Sequence, residues 1–171
     1  MKIKDYKKII KETAIFPRKV ENFGMAYYLL GLIDEMGEVG EAIVRFKQND
    51  SEENKVLLVS EFGDVVWYIT GICEELKLNP ELIFNYNGTT EALDQYPSVS
   101  RFCGNVKKYY RDGKAIPAEL ATGVLTKVYN YYMYPTMKVH AITLDEVLQT
   151  NFDKLTKRKE NNTIQGDGDK R

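Results

Sequence analysis

Four acids in the first half of the chain have the types and spacing to hold a cation. Glu35 and Glu38 lie in "GLIDEMGEVGEAI", residues 31–43, and Glu61 and Asp64 in "LVSEFGDVVWY", residues 58–68. Each pair has i, i+3 spacing, which puts both carboxylates on one face of a helix. By helical periodicity Glu61 falls inside the apolar arc of Leu58, Val65, Tyr68 and Ile72, with Asp64 at its edge. Glu35 sits at the edge of a second arc centred on Met36, and Glu38 one step further round. Two unit charges 4 Å apart repel by about 4 kcal/mol at an effective dielectric of ~20. Four acids in a partly dry cleft therefore need protons, basic partners or cations. A carboxylate set in a chain with one histidine, His140, and two separated cysteines selects Mg²⁺ or Mn²⁺ over zinc. An isolated E-x-x-E usually faces water; the inward position of Glu61 is what favours metal.

The elements that must position these acids read as helices. Apolar residues recur at helical spacing over 3–15, ending before Pro17, and over 24–46 through Leu29, Leu32, Ile33, Met36, Val39 and Ile43. A polar turn over 47–54 follows, then a third helix over 56–78, closed by "NP". The gap between Glu38 and Glu61 allows an antiparallel hairpin with the acid pairs face to face, and the small residues Gly31 and Ala42 would let the partner helix approach closely. Past the loop "NYNGTT", weaker helical stretches span 98–112, 117–134 and 144–159, with breaks expected near Gly113 and Pro135. No strand is expected. The fold class is all-α: a helical bundle on an antiparallel hairpin, one domain over 1–171.

Composition narrows the remaining classes. The 24 Lys and Arg nearly cancel the 25 Asp and Glu, so no basic field points to nucleic acid. Cys73 and Cys103 form no C-x-x-C pair or disulfide framework, and read as free thiols in a reducing, cytoplasmic setting. The start, "MKIKDYKKIIK", is too polar for a signal peptide, and no apolar run is expected to approach the roughly 18 residues of a membrane span.

"LIDEMGEVGEAIVRF" followed by "LVSEFGDVVWYITGICEELKLNPELIF" resembles the MazG-like nucleoside triphosphate pyrophosphohydrolases of the all-α NTP pyrophosphatase superfamily. The paired motif E-x-x-E … E-x-x-D is carried by Glu35, Glu38, Glu61 and Asp64, and "NFDKLTKRKENNTIQGDGDKR", residues 151–171, is similar to the family's N-x-x-K-L-x-x-R segment and Gly-Asp-rich tail. The resemblance implies hydrolysis between the α and β phosphates of a nucleoside triphosphate, with Mg²⁺ (or Mn²⁺) on the four acids. Asp34 or a ligand carboxylate such as Glu38 would accept the proton of the attacking water. Asn151, Lys154 and Arg158, at i, i+3 and i+7, together with Arg171 in the tail, would bind the phosphates. A homo-oligomer, a dimer in the first instance, is also expected.

The catalytic hairpin is thus expected over 20–87 and the phosphate-binding helix end and tail over 151–171. Between them, residues 98–150 are an insertion relative to simpler relatives, or a degenerate second hairpin in which Asn105 stands opposite Glu38. Two other functions compete: a phosphoribosyl-ATP pyrophosphatase, and a non-enzymatic helical module whose acids bind metal structurally. The Tyr-rich "YNYYMY" and the aromatics Tyr27, Tyr28, Trp67 and Tyr68 could stack on a base, although aromatics at helical spacing more often fill a core.

Overall fold

The computed structural model describes residues 1–15, 23–85 and 95–164, and every regular element among them is helical. Helices α1 (Ile3–Thr13), α2 (Phe23–Gln48) and α3 (Glu52–Leu76) form one side of the bundle. α4 (Glu81–Phe84), α5 (Tyr96–Asp112), α6 (Ala118–Lys127), a π-helical segment (Val128–Met133) and α7 (Tyr134–Val139) form the other. α8 (Leu144–Glu160) returns to pack on α3 and α1.

α3 is the central helix. It lies against α2, α8 and α1, and Leu58, Phe62, Val65, Val66, Ile69, Ile72 and Cys73 are all fully enclosed. A helix buried on several sides is apolar nearly all round. α3 accordingly meets the length and composition of a membrane span, its apolar window tolerating Glu61 and Asp64, which corrects the expectation that no segment does; 72% of that window is buried inside the bundle. α3 also begins earlier than its apolar periodicity suggests. The Ser51 side chain accepts a hydrogen bond from the Asn54 amide at 3.3 Å, and Glu52 and Glu53 fall in the first turn, where the helix dipole favours acids.

On α2 the buried arc is turned away from Met36 toward Leu32 and Val39, both 0% exposed, and Ile33 is left 43% exposed. The turn takes Glu35 into the arc and keeps Glu38 at its open edge. Close approach of α3 to α2 and to α8 depends on missing side chains. A Cβ at Gly31 would stand 2.1 Å from the Tyr68 ring, and one at Gly63 would stand 2.6 Å from Asn151 Cβ. Gly63→Ala should therefore lower stability by about 1–3 kcal/mol through overpacking, in spite of alanine's better helix propensity. Denaturant unfolding measures it, and an unchanged midpoint would mean that α8 yields freely.

The second side is a hairpin of its own. α5 ends at Gly113, whose φ of +66° is the left-handed conformation expected of a glycine there, and the chain turns back into α6. Asn105, laid opposite Glu38 by the repeat alignment, spends its side-chain amide on the Arg101 carbonyl of its own helix at 2.9 Å. The break expected at Pro135 does not occur. The π segment runs directly into α7, with the Tyr134 amide bonded five residues back to the Tyr129 carbonyl. Pro135 then falls in the first turn of α7, where a residue without an N–H is tolerated. Tyr132 in the π segment donates its hydroxyl to the Met36 carbonyl on α2, tying the two hairpins together beside the acids. Both cysteines are free, Cys73 buried and Cys103 half-buried.

Candidate metal centre

The facing surfaces of α2 and α3 bring one carboxylate oxygen each from Glu35, Glu38 and Glu61 within 4.8 Å of one another. Glu61, 4% exposed, is the most deeply buried of the three; Glu35 is half-buried and Glu38 exposed. Glu35 Oε2 is enclosed and has no hydrogen-bond partner among the described residues. Burial raises the Glu35 carboxyl to about 9, and the charges of Asp64, Glu38 and Glu61 add to the effect while Lys154 opposes it. A carboxyl held in this way binds either a proton or a cation at neutral pH.

Asp64 belongs to the same cleft but is differently engaged. Its Oδ1 accepts a 2.7 Å hydrogen bond from Asn151 Nδ2, and its Oδ2 pairs with the Lys154 ammonium, which also donates to Ser60 Oγ at 3.0 Å. Two of the residues expected to bind phosphate thus bind an acid expected to bind metal, because α8 lies directly against α3 at this level. Arg158, one turn beyond Lys154, is 7% exposed and lines the cleft. Arg171 lies outside the described residues, as does the Gly-Asp tail. Asp34 stands exposed on α2 and does not line the cleft.

The cleft itself has a volume of about 230 Å³, with acids on one wall and Tyr27, Trp67, Tyr68 and Leu155 among the others. Typical ligand pockets run from about 300 to 1,000 Å³, so this one is too small to enclose a whole drug-sized ligand. The Tyr68 ring lies edge-on to Trp67 and tilted against Tyr27. Trp67 Nε1 donates to Thr13 Oγ1 at 3.0 Å, and the Thr13 hydroxyl donates in turn to the Ile9 carbonyl. α1 therefore supports the aromatic wall, a role no short motif in "KDYKKIIKET" signals. A larger groove of about 570 Å³ between α1 and α8 is mostly apolar, and among the described residues it gathers no comparable group of carboxylate oxygens.

The fold and the cleft define an all-α bundle with an acidic centre at its principal hairpin. No family profile matches the chain, and no solved structure matches it. Gene 37 protein of Mycobacterium phage L5 is 28% identical over 87 residues, covering 46% of this chain and 75% of the phage protein. That name states no activity.

Proposed function

We propose that the protein is a Mg²⁺-dependent nucleoside triphosphate pyrophosphohydrolase, releasing nucleoside monophosphate and pyrophosphate. The observation that carries this reading is the convergence of Glu35, Glu38 and Glu61 oxygens within 4.8 Å beside two cationic side chains of α8. The donor set fits a hard divalent cation: it is all oxygen, it is anionic, and Glu35 offers a buried oxygen with no competing hydrogen bond. When bound, Mg²⁺ would supply Lewis acidity and neutralise phosphate charge.

The chain's own residues do the rest. Glu35, Glu38 and Glu61 hold the cation, and Asp64 faces Glu35 closely enough to raise its proton affinity. Arg158, enclosed in the lining of the cleft, offers a fixed charge to a phosphate oxygen, while Lys154 shares its ammonium between Asp64 and Ser60 Oγ. Tyr27 and Tyr68 line the cleft and are the aromatic side chains from which base stacking would be expected. Glu38, exposed and lining the cleft, is better placed than Asp34 to accept a proton from an attacking water.

Incubation with each nucleoside triphosphate, and with phosphoribosyl-ATP, in the presence of Mg²⁺ tests the reading, with pyrophosphate and orthophosphate measured separately. Pyrophosphate release that stops in excess EDTA and returns with Mg²⁺ or Mn²⁺ is expected. Orthophosphate alone, or full turnover in EDTA, rules the mechanism out.

A further inference from the structure

α1 lies outside both motif blocks, yet it reaches the centre of the site through a buried polar chain. Tyr6 is 0% exposed, and its hydroxyl donates to Asn151 Oδ1 at 2.5 Å across 145 residues of sequence. Asn151 is equally enclosed, and its Nδ2 donates to Asp64 Oδ1 at 2.7 Å. An asparagine amide can be turned end for end within nearly the same space. Only one orientation places its oxygen on a hydroxyl donor and its nitrogen on a carboxylate, and the Tyr6 hydroxyl enforces that one. Burial, followed by the nearby Asp64 charge, pushes the Tyr6 phenol well above its ordinary value, so it remains a donor. A phenylalanine at position 6 would fill the same volume in the apolar core. The hydroxyl is therefore accounted for by what it holds, not by packing.

We propose that Tyr6 is a positioning residue for the acidic centre, fixing the Asn151 amide so that Asp64 is held at a defined angle to Glu35. The proposal rests on the metal-binding reading above. Asp64 bears on the centre either as a further ligand or through the charge it directs at Glu35, and in both cases its orientation sets cation affinity. Groups that orient metal ligands typically contribute about 10–100-fold in affinity, and one acting through an intermediate belongs at the lower end.

Calorimetric titration with Mn²⁺ alone, without nucleotide, tests this on wild type, Tyr6→Phe, Asn151→Ala and the double variant, with far-UV circular dichroism confirming that each is folded. Tyr6→Phe is expected to weaken Mn²⁺ binding about tenfold, and the same change in the Asn151→Ala background should have almost no further effect, since the group it acts through is gone. Equal losses in both backgrounds, or unchanged affinity in the single variant, overturn the positioning role and leave the metal reading standing. A wild type that binds no Mn²⁺ overturns the metal reading and this proposal with it.

Discussion

Glu61→Gln is expected to lower pyrophosphate release by roughly a hundredfold or more while the folded state becomes more stable without metal. The glutamine keeps the shape of the side chain and one carbonyl oxygen but removes the buried negative charge of the acidic cluster. Losing a single group that stabilises developing charge commonly costs about 10²–10³ in kcat, and here the charge would also hold the cation. Stability should move in the opposite direction because Glu61, at 4% exposure, buries a charge that the Glu38 carboxylate, with an oxygen within 4.8 Å, repels. Relieving that repulsion should raise the unfolding free energy by about 1–2 kcal/mol, less than the bare Coulomb figure because the site relaxes and is partly solvated at Glu38. Mg²⁺ should then stabilise the wild type more than the variant, since a ligand of the folded state alone stabilises according to its occupancy. Thermal unfolding with and without Mg²⁺, set beside pyrophosphate release, reads all three effects. Normal turnover by the variant would show that Glu61 is not part of the centre.

The metal-free protein is expected to lose stability as pH rises from about 4.5 toward 9, and added Mg²⁺ should flatten that loss. Glu35 carries a proton in the folded state up to about 9, whereas the unfolded chain releases it near 4.5. Between those values the folded state binds the extra proton, so each pH unit favours unfolding, by at most about 1.4 kcal/mol. The stabilisation is complete below the unfolded value and gone once pH passes through the folded one. Because Glu35 remains partly open to solvent, the observed slope should be smaller than this limit. Mg²⁺ bound at the proposed centre would replace the proton, so its affinity should increase across the same window and the stabilised curve should level out. Glu35→Gln removes the titrating group and should level the metal-free curve with no cation present. Unfolding midpoints measured from pH 5 to 9 decide the matter, and a wild-type slope unchanged by Glu35→Gln would place the titration elsewhere.

Much of the principal hairpin could be read directly from residue order. Periodic apolar residues define which side of a helix becomes dry, and that local rule was enough to point Glu61 inward and to separate α2 from α3 by a polar turn. It also located the Gly113 turn, since a helix end in the left-handed conformation leaves a mark at a single position. The same rule placed the centre of the α2 arc at Met36, when packing against α3 turned it toward Leu32 and Val39. Pro135 reads as a breaker by itself, but the wider turn ahead of it, tied to α2 by Tyr132, carries the helix through.

What residue order by itself determined was therefore the all-α class, the facing helices and the inward acid, because these follow from spacings of three and four along one chain segment. Only the tertiary structure decided which atoms meet. It grouped Glu35, Glu38 and Glu61, gave Asp64 to Asn151 and Lys154, enclosed Arg158, left Asp34 outside, and brought Tyr6 and Thr13 from α1 to brace the cleft. The physical reason is that a helical pattern records the rotation of each helix about its own axis, but not the depth at which a distant helix crosses it. Contacts spanning 87 to 145 residues, such as those of Asn151 with Asp64 and Tyr6, depend on that depth alone.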